Sequence, residues 1–322
     1  MRILVTGAAG FIGSHLAGRL AMLGHCVSGL DCYTPYYSPA VKLVNARELE
    51  AQGVAVRQID LAVDDLSEAI ANCDVVYHLA AQPGISPTST FESYLRDNVI
   101  ATHRLVDALS RVRIPPVLIN IATSSVYGAD AEGDENAEPR PTSHYGVTKL
   151  TAEQLALAAW RSHEVPTCSF RLYSVYGPRE RPDKLFPTLI RSILFDEPFP
   201  LFEGSEAHVR SYTYVDDIVS GLVLALGHLE ECIGEIFNLG NDGCITTRRA
   251  IDIVEATLGK RARIERRPSR SGDQTKTRAN IGKARRVLGY EPGTPPTLGL
   301  AQTVAWGINH PDLLRLPTAV AV

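Results

Sequence analysis

Arg2-Ile3-Leu4-Val5-Thr6-Gly7-Ala8-Ala9-Gly10-Phe11-Ile12-Gly13 opens the chain. An apolar run reads as a buried strand over 2–6, and an amphipathic stretch over 11–23, stopped near Gly24, reads as a helix. Three glycines join them. Glycine lets the backbone turn tightly and approach a pyrophosphate, and the helix N-terminus beyond it offers unpaired N–H groups and a positive dipole end. The spacing is G-x-x-G-x-x-G rather than G-x-G-x-x-G. Glycines alone say little, because any tight β–α turn wants them. The strand before and the helix after point to a dinucleotide. Gly7, Gly10, Phe11, Ile12 and Gly13 are therefore assigned to the cofactor.

The same rhythm continues outward. Strands are expected at Cys26–Asp31, 54–58, 74–78, 117–122 and Thr167–Leu172. Helices are expected at 40–51, 64–71, 90–111 and 143–162. This β–α alternation implies a parallel sheet covered on both faces by crossover helices. The predicted class is α/β, a Rossmann-type doubly wound sheet over residues 1–173. After Ser174, prolines at 178, 182, 187, 198 and 200 break the pattern. Residues 174–322 read as a smaller, mainly substrate-binding domain, with a segment near 235–240 returning to the main sheet. The tail after Pro311 reads as poorly anchored.

Bulk properties exclude several classes. The 322 residues are 45% hydrophobic and 21% charged, ordinary for a globular protein. A net charge of −4 gives no broad basic surface for nucleic acid. No apolar run is long enough to span a bilayer, and a strand starting at residue 2 leaves no room for a signal peptide. The six cysteines form no C-x-x-C pair and read as free, mostly buried thiols of a reducing cytoplasm. Histidine spacing suggests no metal.

Asp31 ends the second strand, where a carboxylate accepts hydrogen bonds from an adenosine ribose and repels a 2′-phosphate. Cys32-Tyr33-Thr34 supply no arginine, so NAD is expected over NADP. Asp60 and Leu61 follow the third strand and either meet the adenine or form a helix-capping loop. Leu79, Ala80 and Ala81 follow the fourth strand and are small enough for backbone to pass close to a cofactor.

Tyr145-Gly146-Val147-Thr148-Lys149 carries the chemistry. Residues i and i+4 share a helix face. With 12 tyrosines and few lysines in the chain, chance gives about 0.2 Y-x-x-x-K matches. An ammonium beside the phenol, together with a positively charged nicotinamide, is expected to lower the tyrosine pKa, making it a base for a substrate hydroxyl. Thr123-Ser124-Ser125 end the fifth strand, where ligands of open parallel sheets bind.

These segments together resemble the extended short-chain dehydrogenase/reductases that act on nucleotide sugars. Arg171-Leu172-Tyr173-Ser174-Val175-Tyr176-Gly177-Pro178, Arg210-Ser211-Tyr212-Thr213-Tyr214-Val215-Asp216-Asp217 and Ser271-Gly272-Asp273 extend the resemblance over nearly the whole chain. The chain is most similar to UDP-glucuronate 4-epimerases. Its Asp31–Tyr37 stretch is similar to their D-x-x-x-x-Y-Y. Ala80-Ala81-Gln82-Pro83-Gly84-Ile85 is similar to A-A-Q-A-G-V, and Gly177-Pro178-Arg179-Glu180-Arg181-Pro182-Asp183 to G-P-R-Q-R-P-D.

The resemblance implies Tyr145, Lys149 and Thr123 as catalytic residues. It adds Asn98 and Tyr173 to the cofactor site. It places Gln82, Gly84, Ser124, Ser125, Ser174 and Arg181 around the sugar, and Arg210 and Arg270 on the UDP phosphates, which suit paired guanidinium bonds. Related 4,6-dehydratases carry Asp-Glu where Ser124-Ser125 stand, and decarboxylases usually carry Glu at Ser125, so hydroxyls here disfavour both reactions. The implied reaction is transient C4 oxidation of UDP-glucuronate by NAD and return from the opposite face, giving UDP-galacturonate. UDP-glucose 4-epimerase is the nearest alternative; a decarboxylase or a non-catalytic NAD sensor is remoter. Family members pair through helices matching 90–111 and 143–162, which implies a homodimer. Leu95, Val99, Leu105 and Val106 face either a partner or the parent sheet.

Overall fold

A computed structural model describes residues 1–84, 89–269 and 275–316. Seven strands form one parallel sheet: β1 (Arg2–Thr6), β2 (Cys26–Asp31), β3 (Ala55–Gln58), β4 (Val75–His78), β5 (Val117–Thr123), β6 (Thr167–Leu172) and β7 (Ile236–Leu239). Their spatial order is β7-β6-β5-β4-β1-β2-β3. The reversal of order lies between β1 and β4, the crevice where doubly wound sheets bind ligands. Residues of one strand alternate between the two faces: Ile3 and Val5 join one buried cluster, and Leu4 joins the other. Each such side chain contributes roughly 1.5–3 kcal/mol on burial, which fixes the register.

The helices that position the site are α1 (Phe11–Met22), α2 (Pro39–Ala51), α3 (Ser67–Ile70), α4 (Phe91–Tyr94), α5 (Ala101–Ser110), α6 (His144–Arg161) and α7 (Leu185–Phe195). The single helix expected at 90–111 is interrupted by a π-helical turn, Leu95–Ile100. The helix expected at 64–71 is cut to one turn. Asp64 accepts from the Asp60 N–H at 2.7 Å and Asp65 from the Ser67 N–H at 3.0 Å, so local side-chain turns take the place of the expected first turn.

Beyond β6 the elements are short. Val209–Arg210 pairs with Ile245–Thr246 and with Lys276–Thr277, and the last also pairs with Asp130–Ala131. The two halves therefore exchange strands: Asp130–Ala131 goes to the small sheet, and β7 pairs with β6. The expected loose tail is anchored as far as it is described, because Pro311–Leu314 is helical and Leu314 is buried. All six cysteines are free, but only Cys168 and Cys232 are buried, fewer than expected. Among the described residues no helix is long and apolar enough to cross a membrane.

Candidate active site

The glycine loop is shaped by close backbone approach. Gly7 has φ +68°, and a Cβ there would lie 2.8 Å from the Ala80 nitrogen. A Cβ on Gly13 would lie 2.1 Å from the Gly7 carbonyl oxygen. No side chain can be added at either place without moving backbone. Gly10 caps α1, and no side chain bonds the first-turn N–H groups. The Phe11 and Ile12 positions thus start a helix whose donors and dipole face the loop, which suits a pyrophosphate.

Asp31 is buried at the end of β2. One carboxylate oxygen accepts from the Ala9 N–H at 3.2 Å and the other from the Tyr33 N–H at 2.8 Å, so the group is held at the loop's edge. Lys42 of α2 lies 3.8 Å from it and donates to Thr34. Lys42 escaped the sequence reading; its signal is a position one turn into the helix that follows the β2 loop. Arg179 was also missed. It adopts φ +66°, donates to the Ser14 hydroxyl at 3.4 Å and pairs with Glu48, bringing a cation to the first turn of α1.

Other expected cofactor residues divide. Leu79 and Ala80 run directly beside Gly7, and Ala81 follows them. Asn98, on the π turn, is fully buried. It accepts from the Gln82 N–H at 2.7 Å and donates to Thr148 at 3.0 Å, which fixes the strand end against α6. A π turn at such a residue is a familiar functional placement. Asp60 binds its own loop, accepting from the Ala62 N–H, and pairs with Arg96. Leu61 packs in the core. Both follow the third strand at the edge of the sheet, where the sequence expects them. Tyr173 is buried in the core and its hydroxyl has no partner.

Tyr145 and Lys149 lie on one face of α6, with Glu153 a further turn along. Lys149 is buried and donates to the Ile121 carbonyl at 2.6 Å. Burial pulls its ammonium down to about 8, and Glu153 opposes that. Glu153 is itself held by Arg171 at 2.6 and 2.9 Å, both side chains wholly buried. Arg171 also donates to the Tyr127 hydroxyl at 2.8 Å. This network braces α6 against β6.

Burial raises the Tyr145 pKa. The Thr123 hydroxyl, the Arg181 charge and a Gly84 backbone hydrogen bond pull it back. The sequence reading gives that pull to Lys149 and the nicotinamide; the structure adds Arg181 as a further cation acting on the phenol. Thr123 accepts from the Ser125 N–H at 3.2 Å, which leaves its own proton for the phenol oxygen. Ser124 is buried beside Thr123, while Ser125 and Ser174 are half-buried.

Arg181 is buried, donates to the Pro83 carbonyl at 2.8 Å and stacks its guanidinium 4.9 Å from the Tyr36 ring centre. Gly84 accepts from the Tyr94 hydroxyl at 2.7 Å, and the Tyr94 and Tyr145 rings lie 6.2 Å apart. Gln82 is buried and donates to Ser89 at 3.0 Å. Thus Thr123, Tyr145, Gly84 and Arg181 meet in one corner. Arg210 lies on the small sheet, and its charge acts on Tyr212, which Glu180 also reaches. Arg270, the Ser271-Gly272-Asp273 motif and Ile85 lie outside the described residues.

The model of the NAD dependent epimerase/dehydratase family matches residues 3–240. The chain belongs to that family. YtcB of Bacillus subtilis, described as an uncharacterized UDP-glucose epimerase, is 36% identical over 95% of this chain and 98% of its own. UDP-glucuronate 4-epimerase 3 of Arabidopsis thaliana is 32% identical over 96% of this chain and 76% of its own. The crystal structure of a UDP-glucuronic acid 4-epimerase from Bacillus cereus, in complex with UDP-glucuronic acid and NAD, superposes with a TM-score of 0.90 at 36% identity. It covers 96% of this chain and 99% of that one. The glycine loop and Asp31 are the parts of the present chain that fit the cofactor for which this family is named.

Proposed function

We propose that the chain is an NAD-dependent UDP-sugar 4-epimerase that interconverts UDP-glucuronate and UDP-galacturonate. The observation that carries the acidic sugar is Arg181, a buried cation whose charge acts on the phenol of Tyr145. The Bacillus cereus and Arabidopsis relatives support the same substrate. The Bacillus subtilis relative favours UDP-glucose as the second reading.

Residues 7–13 would hold the pyrophosphate, Asp31 the adenosine ribose, and Lys149 the ribose beside the reacting ring. Bound NAD supplies a two-electron acceptor that is regenerated within one turnover. Tyr145 takes the proton of the sugar 4-hydroxyl and later returns it, with Thr123 hydrogen-bonded to the same phenol oxygen. Lys149 contributes a fixed positive charge that favours the phenolate. Once C4 is a ketone, the C6 carboxylate belongs to a β-keto acid and can leave as CO₂. That loss is fastest when the breaking bond stands perpendicular to the carbonyl. Ser124, Ser125, Ser174 and Arg181 hold the carboxylate out of that alignment, and Arg210 and Arg270 bind the diphosphate. No carboxylate stands at 124 or 125 to eliminate water.

Residues 174–322 serve mainly the UDP-sugar. Phe91, Leu95, Ile100 and Val147 are exposed on the helices beside the site, while Leu105 is buried in the parent core. The exposed four support pairing with a second copy, and free thiols suit the cytoplasm. Incubating the enzyme with UDP-glucuronate and following the sugar by NMR tests the function. UDP-galacturonate is expected; UDP-pentose with CO₂ would contradict it.

A further inference from the structure

Within residues 177–184, Glu180 and Lys184 have no role in the reaction as described. Glu180 is buried, and its Oε2 has no hydrogen-bond partner. Lys184 immediately precedes α7. A Cβ built on Gly84 would meet Arg181 Nη2 at 3.1 Å and Lys184 Nζ at 3.3 Å. Two cationic heads therefore converge on one point, beside a backbone that hydrogen-bonds the Tyr145 phenol. Asp183 stands 3.3 Å from Arg181 on the more open side. Cations this close repel, and a carboxylate set between them relieves the repulsion.

We propose that Lys184 completes, with Arg181, a two-cation recess for the carboxylate of an acidic sugar, and so sets the preference for acidic over neutral UDP-sugars. The proposal rests on the UDP-sugar reading of the site and goes beyond it by naming the discriminating residue. The two cations divide the work. Arg181 has its fork committed to Pro83, Asp183 and the Tyr36 face. Lys184 brings a compact ammonium charge, which also acts on Glu180, to the other side of the same point.

Glu180 is the counterweight. Burial pushes its carboxyl up to about 8, while Lys184 and Arg181 pull it down and Asp183 pushes it up. Tyr176 and Tyr212 are the other titratable groups it faces. At neutral pH it keeps its proton and leaves the recess positive. Above about pH 8 it ionises, cancels part of that charge and competes with the sugar's carboxylate.

The test is calorimetric binding of UDP-glucuronate and UDP-glucose to the NAD-loaded Tyr145→Phe enzyme, which binds without turnover. Adding Lys184→Gln should weaken UDP-glucuronate about tenfold and leave UDP-glucose nearly unchanged. Between pH 7 and 9 the parent should lose affinity for UDP-glucuronate alone, and Glu180→Gln should abolish that loss. Unchanged NAD affinity and melting temperature would show that Lys184→Gln acts locally. Equal weakening of both sugars, or of neither, overturns the proposal. A parent that binds neither UDP-sugar while holding NAD strikes the UDP-sugar reading itself, and is told apart because no variant is then involved.

Discussion

Between Thr6 and Phe11 the chain offers a ligand little but backbone, whereas between Arg179 and Lys184 it offers five ionisable side chains in six residues. The first region is one contiguous turn whose shape follows from missing side chains. Its partner is a fixed nucleotide, and an added methyl at Gly13 has nowhere to go. The second is a loop whose alternate residues reach different neighbours. Arg179 turns to Ser14 and Glu48, Arg181 to Pro83 and Tyr36, and Glu180 into the interior. The contrast teaches where reaction and substrate are set. On this account backbone geometry holds the nucleotide, while side-chain charges at residues 179–184 select the sugar.

Tyr145 stands between the two regions, so removing its hydroxyl should stop chemistry and spare both. Tyr145→Phe is expected to lower kcat by about 10²–10⁴ while calorimetry still finds NAD and UDP-sugar binding; retained turnover would remove it as the base. The brace behind α6 should instead damage both regions together. Glu153→Ala leaves Arg171 buried without its carboxylate and should cost about 3–5 kcal/mol, read as a large fall in melting temperature. Gly13→Ala should act on the nucleotide end, costing roughly 1–3 kcal/mol by overpacking and most of the NAD affinity. Arg181→Gln should raise KM for UDP-glucuronate about tenfold and, by removing a charge that acts on Tyr145, lower kcat for both sugars, with NAD affinity intact.

A pH profile separates the ends more finely. Folding lowers the Lys149 pKa to about 8, so its buried ammonium costs stability below that pH, and deprotonation relieves the cost as pH rises toward the unfolded value. The catalytic sign is opposite: the cation is present below about pH 8 and lost above it. The kcat for both UDP-sugars should therefore fall together on the alkaline side. The Glu180 effect should appear in KM for the acidic sugar only.

The same contrast explains what could be read in the sequence. Strands β2 and β6 were legible to the residue, because buried parallel strands are short apolar runs bounded by turns. The glycine loop was legible because its meaning is local. The π turn at Leu95–Ile100 was not, since it breaks hydrogen bonding without breaking the apolar period. Lys42, Arg179, Lys184 and Glu180 were hidden for another reason. Their roles depend on which distant group each charge meets, and spacing carries no such information. Asp60 was legible by its place after a strand, but its pairing with Arg96 was not, for the same reason.

The central claim is reversible C4 inversion of an acidic UDP-sugar. It is tested most directly by incubating the enzyme separately with UDP-glucuronate and UDP-glucose under identical conditions and following the anomeric sugar protons by NMR. Faster conversion of UDP-glucuronate into UDP-galacturonate, without UDP-pentose, is the predicted result. Faster conversion of UDP-glucose into UDP-galactose, or release of CO₂ from UDP-glucuronate, would contradict it.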